Sequence, residues 1–282
     1  MRLPQSRYLV ILALLTAHVY GIACYAAQQS SDLEQSICGL KEPFVFWLWS
    51  SAAGEPGTAP LTQVANIEDV AITSSDGRIL RGYKLNSPHT RYGRGIPRGY
   101  LLVAQGNAML ADQIITRFDQ FAGLGYDVYI FDYRGYGRSE GKRRLKAILD
   151  DYREIIQQLD TQPYQSRAFY GMSFGGVVLL DALRHHTGEM TVVIDSTPSR
   201  LSGYGCPTAH DPVNNLPQET DNLLVIAGAK DQVVKPGASR ELLELAEDRG
   251  ATVQREPVWG HPFMDGHTQQ RLQSVRQFLL GE

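Results

Sequence analysis

The feature that most constrains the fold is an alternation of strand and helix patterns from residue 99 onward. Short, nearly unbroken apolar runs such as "GYLLVAQ" (99–105) are typical of strands that are buried on both faces. Between them lie segments with apolar residues at helical spacing, such as "KRRLKAILDDYREIIQQL" (142–159). Repeated strand–helix units of this kind predict a mainly parallel sheet that helices cover on both faces.

An antiparallel hairpin is predicted before this alternation. Residues 67–73 and 78–85 alternate polar and apolar side chains around an Asp76-Gly77 turn, which favours a hairpin. With 282 residues, 43 % of them hydrophobic, the chain can form one α/β domain, which we place at 61–282. Further helices are expected at 111–125, 174–186, 239–250 and 267–280, and further strands at 126–132, 167–171, 191–195, 222–228 and 251–257.

Residues 1–23 have the pattern of an export signal. Arg2 and Arg7 precede an apolar run at 8–20, which is too short to span a bilayer comfortably, and small residues follow it. "GIAC" resembles a bacterial lipobox, in which the cysteine (here Cys24) is lipidated, although Gly21 stands where that pattern prefers leucine. Ordinary cleavage nearby and an uncleaved anchor are the alternatives. We therefore expect an exported protein of the cell envelope, periplasmic or attached to the membrane through its N-terminus.

Residues 24–60 are predicted to form an N-terminal extension and linker. The aromatic run "EPFVFWLWSS" (42–51) is expected to pack on the domain, with contact to a membrane surface as the alternative, and "SAAGEPGTAP" (51–60) reads as a linker. Export permits disulfides, and Cys38 and Cys206 are the pair that remains if Cys24 carries lipid. Whether their Cα atoms lie close enough for a bridge stays open at this point.

Charge and composition exclude several kinds of site. A net charge of −3 provides no electrostatic footprint for nucleic acid. The three cysteines lack Cys-x-x-Cys spacing and no cofactor motif is present, so we expect no metal and no cofactor. The glycines of "DYRGYGRSEG" (132–141) match no phosphate-binding pattern. They are expected to shape a loop beside the active-site mouth, supported by Tyr133 or Arg134.

Ser173 is the predicted nucleophile. It lies in "GMSFGG" (171–176), directly after a strand and at the start of a helix, which is the context of a nucleophile elbow. Gly171 and Gly175 fit a turn in which side chains would clash, whereas a serine that only caps a helix would need neither glycine. The backbone N–H of Phe174, the next residue, is then one donor for an oxyanion.

Several segments together resemble the α/β-hydrolase superfamily, closest to the alpha/beta-hydrolase-domain (ABHD) group of serine hydrolases. They are "QGNA" (105–108), "FDYRGYGRSEG" (131–141), "GMSFGG" (171–176), "GAKDQVV" (228–234) and "WGHPF" (259–263). The resemblance implies the α/β-hydrolase fold and a catalytic triad in the order serine, acid, histidine.

The resemblance assigns the remaining site residues. Asp231 matches the family's acid, with Asp195, which also ends a strand, as the second candidate. His261 matches the catalytic base, in preference to His267. The backbone N–H of Asn107 is the implied second oxyanion donor, in a loop where Gln105 replaces the family's common histidine.

The expected function is that of a serine hydrolase. The resemblance implies cleavage of small carboxylic esters or thioesters through an acyl-enzyme intermediate. Only about 26 residues separate the strands at 191–195 and 222–228, so we expect a minimal cap and a shallow, open site. Two alternatives stay open: a catalytically inactive binding protein of the cell envelope, and an amidase or peptidase with the same triad.

Overall fold

The structure, a computed structural model, describes residues 32–57, 61, 66–93 and 95–281, which contain an eight-stranded sheet. The strands are β1 (Ile67–Thr73), β2 (Ile79–Leu85), β3 (Gly99–Ala104), β4 (Tyr126–Phe131), β5 (Ser166–Met172), β6 (Thr191–Asp195), β7 (Leu223–Gly228) and β8 (Thr252–Glu256). Their order in the sheet is β1-β2-β4-β3-β5-β6-β7-β8. β2 is antiparallel to both of its neighbours, and all other pairs are parallel.

Helices cover both faces of this sheet. They are α1 (Glu42–Ala53), α2 (Pro88–Tyr92), α3 (Ala111–Ile114), α4 (Asp119–Ala122), α5 (Leu145–Asp160), α6 (Phe174–Leu183), α7 (Pro236–Asp248) and α8 (Thr268–Leu280). One core cluster joins the sheet to α1, α5, α6 and α7, and the other joins it to α3, α4 and α8. The predicted fold, a mainly parallel sheet between two helical layers, is confirmed.

The burial of the strands explains the sequence patterns. Every residue of β3, β4 and β7 is buried, as their unbroken apolar runs predict. β1 and β2 pair as the predicted hairpin, and β1, at the edge of the sheet, exposes most of its polar side chains. Hydrophobic burial on both faces therefore holds the centre of the sheet, whose carboxyl edge supports the candidate site.

The helix predicted at 111–125 is wrong in detail. The chain there forms α3, a 3-10 turn over Ile115–Phe118, and then α4. Ile114 and Ile115 are adjacent in sequence and yet both lie in the core, and the change to a tighter turn between them allows this. Their branched Cβ atoms also lower the helix propensity of this stretch.

The extension before the domain is partly folded onto it. Its aromatic run forms α1, which packs on the core through Phe46, and a disulfide joins Cys38 to Cys206. The predicted signal sequence and Cys24 lie outside the described residues. None of the helices in the described part of the chain is long and apolar enough to cross a membrane.

The connection between β6 and β7 is short, as predicted. It contains three single 3-10 turns, at Ser202–Tyr204, Thr208–His210 and Pro212–Asn214, and no longer helix. The cap is therefore minimal.

Candidate active site

Ser173 lies on a strained turn between β5 and α6. Its φ is +54° and its ψ −118°, in a region that residues with a Cβ rarely adopt. Two hydrogen bonds hold this backbone: the N–H of Ser173 donates to the carbonyl of Asp195 at 2.7 Å, and Thr197 Oγ1 donates to the carbonyl of Ser173 at 3.0 Å. The strain and its anchoring are those of a nucleophile elbow.

The glycines around Ser173 are required by close packing. A Cβ on Gly171 would lie 2.7 Å from the Cα of Gly176, and one on Gly175 would overlap the carbonyl oxygen of Ala104 at the end of β3. A Cβ on Gly176 would overlap the side chain of Thr197. The absence of side chains lets strand and helix approach closely, as the sequence predicts.

Asp231 and His261 form a buried hydrogen-bonded pair. Asp231 follows β7 and His261 follows β8, and Asp231 Oδ2 lies 2.8 Å from His261 Nδ1. The other carboxylate oxygen, Oδ1, accepts the backbone N–H groups of Val233 and Val234 at 2.8 and 2.9 Å. Three donors thus orient the carboxylate, and it in turn orients the imidazole.

The electrostatics of the pair favour an ionised Asp231. Burial opposes its ionisation, but the hydrogen bond and the electrostatic attraction of His261, together with the N–H groups of Val233 and Val234, outweigh that effect. The pKa of Asp231 is therefore lowered from its ordinary value.

Ser173 and His261 lie at the same edge of the sheet without a hydrogen bond between them. Both follow the carboxyl ends of parallel strands, β5 and β8. Within the described residues, neither Ser173 Oγ nor His261 Nε2 has a hydrogen-bond partner. Catalytic contacts of this kind are often long in an unliganded site and shorten when substrate binds.

Asp195, the second candidate for the acid, has other partners. Arg271 Nη1 donates to its Oδ1 at 2.6 Å, and the hydroxyls of Tyr170 and Ser196 donate to the two oxygens at 2.9 and 3.0 Å. Burial raises the pKa of Asp195, against the opposing effect of Arg271. The structure thus brings His261 together with Asp231. Asp195 instead forms a separate buried ion pair with Arg271.

Arg271 is a residue of the site's surroundings that the sequence pattern did not reveal. It lies in α8 and is fully buried. Its Nη2 donates to the carbonyl of Gly260 at 2.8 Å, and its guanidinium lies 4.6 Å from the ring centre of Trp259. Through Asp195 it connects the loop that carries His261 to the turn that carries Ser173. No signal in the amphipathic pattern of the last helix distinguishes this arginine.

His267, the alternative base, lies apart from this pair. It stands just before α8, and its Nδ1 lies 2.9 Å from Gln270 Oε1. Its backbone N–H donates to Asp265 Oδ1, while Asp265 Oδ2 accepts the N–H of Gly260. This turn braces the loop that carries His261.

The loop after β3 approaches the elbow. A Cβ on Gly106 would lie 3.9 Å from Ser173 Cβ, and Asn107 is the next residue. Phe174 is the first residue of α6, so its N–H lacks an intrahelical acceptor. The N–H of Phe174 thus lies directly after Ser173, and that of Asn107 belongs to the residue after Gly106; their role as oxyanion donors stays a prediction.

The glycine-containing loop at 132–141 supports that region. The hydroxyl of Tyr133 donates to the carbonyl of Gln105, and Gln105 Nε2 donates to the carbonyl of Phe131 at 3.0 Å. Asp132 Oδ1 accepts the N–H of Ala111 at 2.8 Å. Arg134 is buried and pairs with Asp76 and Asp151. Tyr133 thus directly supports the loop after β3. Gln105, which stands where the family commonly has histidine, helps by bonding to Phe131.

An aromatic group lies beside the elbow. The ring of Phe174 has its centre 5.6 Å from that of Phe46, 6.1 Å from that of Trp49 and 5.4 Å from that of Tyr133. Phe46 and Trp49 belong to α1, so the N-terminal extension supplies part of the packing around Phe174.

Among the described residues, no group of three or more His, Cys, Asp or Glu side chains is arranged to hold a metal ion.

Several known proteins are similar to this chain in sequence. Residues 95–204 match the family described as Hydrolase_4, serine aminopeptidase S33. Human alpha/beta hydrolase domain-containing protein 17C is 26 % identical over 229 residues, which are 74 % of this chain and 64 % of that protein. A monoacylglycerol lipase of Mycolicibacterium smegmatis is 31 % identical over 108 residues, which are 36 % of this chain and 39 % of the lipase.

Solved structures share the architecture. The Pyrococcus furiosus esterase Pf2001 has a TM-score of 0.62 and 19 % identity, covering 79 % of this chain and 93 % of its own. XC6422 from Xanthomonas campestris, described as a serine hydrolase without lid, has a TM-score of 0.57 and 20 % identity, covering 77 % and 93 %. Likeness at this level establishes the common arrangement of sheet and helices.

Proposed function

Because the chain is a member of the α/β-hydrolase superfamily, we propose that it is a serine hydrolase of small carboxylic esters or thioesters. The observation that carries this proposal is the strained turn of Ser173 at the same sheet edge as the buried Asp231–His261 pair. A serine that only capped a helix would need neither the strain nor an oriented imidazole nearby.

The proposed mechanism uses this chain's own groups. The hydrogen bond to Asp231 places a proton on His261 Nδ1 and leaves Nε2 free to accept the proton of Ser173 Oγ. Oγ then attacks the substrate carbonyl carbon, and the N–H groups of Phe174 and Asn107 stabilise the oxyanion. Nε2 returns the proton to the departing alkoxide or thiolate. A water molecule then hydrolyses the acyl-enzyme by the same steps, which frees the acid and restores Ser173.

Three features support esters as substrates. The names of the lipase and esterase among the similar proteins refer to ester cleavage. The minimal cap favours an open site that admits a protruding acyl or alcohol group. Trp49, which is partly exposed and whose ring centre lies 6.1 Å from that of Phe174, offers an apolar surface near the nucleophile.

Cleavage of an amide bond is the second candidate. The description of the matched family, serine aminopeptidase, favours it. The proposed mechanism is the same, except that Nε2 protonates a departing amine.

Labelling with a fluorophosphonate probe tests the proposed nucleophile. We expect the wild type to react stoichiometrically and to hydrolyse short p-nitrophenyl esters, and Ser173→Ala to do neither, because the attacking oxygen is gone. Ser196→Ala is the matched control, since Ser196 is also buried and has a similar φ of +51°. It should retain labelling.

The outcomes separate the alternatives. A folded wild type that the probe does not label would support the inactive binding protein and overturn the proposal. Labelling with turnover of p-nitroanilides but not of esters would replace the ester hydrolase by an amidase or peptidase.

Export to the cell envelope is also part of the proposal. The disulfide between Cys38 and Cys206 supports it, because such bonds persist in oxidising compartments. Lipidation of Cys24 stays a prediction from its sequence context.

A further inference from the structure

Helix α1 is apolar on both of its faces. Its inner face is buried through Phe46, as described above. On its outer face Phe44, Trp47 and Leu48 follow helical spacing and remain 62, 53 and 51 % exposed. Leu40, just before the helix, is 99 % exposed. A helix on the surface of a soluble domain normally carries polar residues outward, so this outer face is suited to being covered.

Positively charged side chains border this outer face. Lys41 is exposed at the start of α1, and the side chain of Lys142 is 69 % exposed on the segment that leads into α5. That segment touches α1, because Arg143 Nη1 donates to Ser50 Oγ at 2.6 Å. Apolar and aromatic side chains next to lysines and arginines are the composition of a helix that lies in a membrane interface.

Two acidic side chains near this face, Glu42 and Glu34, are buried, whereas Asp32 is exposed. Glu42 is buried and accepts the N–H groups of Leu145 and Cys38 at 2.8 Å each. Glu34 is buried as well, and its carboxylate lies 3.6 Å from Arg134. Glu42 thus does not face the outward charge of Lys41, whereas Glu34 Oε2 lies 3.9 Å from Lys142 Nζ and offsets part of the charge of Lys142. The remaining outward positive charge suits anionic headgroups.

Several bonds fix the orientation of α1. The disulfide from Cys38 holds its start, and Gln113 Nε2 donates to the carbonyl of Ala53 at its end, at 2.7 Å. With Phe46 packed against Phe174, the helix cannot rotate its outer face inward without losing these contacts. These contacts keep the outer face of α1 directed toward solvent.

The first described residue, Asp32, lies beside the basic border of α1. The carbonyl of Asp32 accepts a hydrogen bond from Lys146 Nζ at 3.2 Å, so residues 1–31 join the fold beside the basic border of α1. Those residues include the apolar run at 8–20. A membrane segment or lipid on the N-terminus would therefore hold the bilayer near this face.

We propose that the outer face of α1 docks on the surface of a bilayer with anionic headgroups. The inner face of the same helix contacts Phe174, the residue after the nucleophile, and a helix is only about 10–12 Å thick. Docking therefore brings Ser173 close to acyl esters in that surface. This second step rests on the proposed hydrolase function, whereas docking itself does not.

Vesicle binding tests the docking. The full-length protein, as Ser173→Ala to separate binding from turnover, is mixed with vesicles of phosphatidylcholine and phosphatidylglycerol in equal parts. Leu48→Ser should lower the partition coefficient by about tenfold, because an exposed leucine no longer enters the interface. Ile96→Ser is the matched control: Ile96 is 56 % exposed, just before the amino end of β3, and its loss should leave partitioning unchanged.

Tryptophan emission locates the contact independently of the N-terminal segment. Vesicles should shift the emission to the blue in the parent protein and not in Trp47→Phe, which removes one of three tryptophans. Vesicles of phosphatidylcholine alone should bind more weakly.

Equal partitioning of Leu48→Ser and the parent, or an emission shift that survives in Trp47→Phe, would overturn the docking. So would a dimer that Leu48→Ser dissociates while vesicle binding stays unchanged, since a second copy would then cover the face. A wild type that hydrolyses soluble esters but ignores vesicles contradicts docking alone. A protein that docks without any hydrolase activity contradicts the proposed function alone.

Discussion

At the scale of single residues, Asp231 and Asp195 lie beside neighbouring strands and differ in their partners. The proposed acid shares a hydrogen bond with His261, whereas Asp195 is held by Arg271, Tyr170 and Ser196. The amino-acid pattern places both carboxylates at the same sheet edge and does not separate them. Side-chain hydrogen bonds do, because only one carboxylate lies within reach of the imidazole.

Substitution of Asp231 should therefore mainly lower activity, and substitution of Asp195 should mainly lower stability. Asp231→Asn should keep its fold and lose roughly three to four orders of magnitude in kcat, because the imidazole loses its orienting charge and its tautomer. Asp195→Asn should instead lower the free energy of unfolding by about 3–5 kcal/mol, because the buried Arg271 loses its closer counter-charge and is left with Asp265, which lies 3.9 Å away. Ester turnover per folded molecule, measured well below each Tm, decides between them. A folded but inactive Asp195→Asn beside an active Asp231→Asn would reverse our assignment of the acid.

Among the helices and strands, the N-terminal extension is where the structure adds most to the sequence-based prediction. The prediction that its aromatic run packs on the domain agrees with α1 and the contact of Phe46 with Phe174. The run's helical form, and which of its side chains face outward, came from the structure. The bond between Cys38 and Cys206 joins two segments 168 residues apart, a proximity that spacing along the chain does not encode.

Loss of this disulfide should destabilise the protein. We expect Cys38→Ser combined with Cys206→Ser to lower the free energy of unfolding by about 2–5 kcal/mol, because the unfolded chain gains freedom when a long loop is opened. Urea unfolding with and without reductant measures this, and reductant should affect the wild type but not the double variant. Cys24→Ser is the control and should unfold like the wild type. Equal stability of all three proteins under oxidising conditions would contradict the prediction.

At the scale of the whole molecule, buried carboxyl groups give the stability two opposite responses to pH. Asp132 is buried, and burial raises its pKa to about 6 despite the N–H groups of Ala111 and Arg138. The pKa of Asp231 is lowered, for the reasons described above. A raised folded pKa means that the native state binds the proton more tightly than the unfolded chain, and a lowered pKa means the reverse.

The contribution of Asp132 should be present at low pH and should decline as pH rises from about 4 to about 6. Wild type and Asp132→Asn are compared by urea unfolding across this range, and their difference in unfolding free energy should change by about 1–3 kcal/mol. The wild type should lose stability relative to the variant as pH increases. A difference that stays constant would show that the native Asp132 titrates normally.

Asp231→Asn is the comparison with the opposite sign. The contribution of Asp231 is fully present above the unfolded pKa and is lost as pH falls through the lower folded pKa. The part of the difference between wild type and Asp231→Asn that comes from the carboxylate should therefore shrink as pH falls below about 4.

Sequence patterns alone are enough to predict the sheet, the hairpin, the minimal cap and the position of Ser173 between β5 and α6. These follow from local patterns, because burial on both strand faces needs unbroken apolar runs and a close turn needs glycine. Three contacts became known from the folded structure: Asp231 meets His261, Arg271 joins Asp195 to the loop before His261, and Cys38 meets Cys206. These contacts connect residues far apart in the chain, and their distances depend on how strands and helices pack in three dimensions.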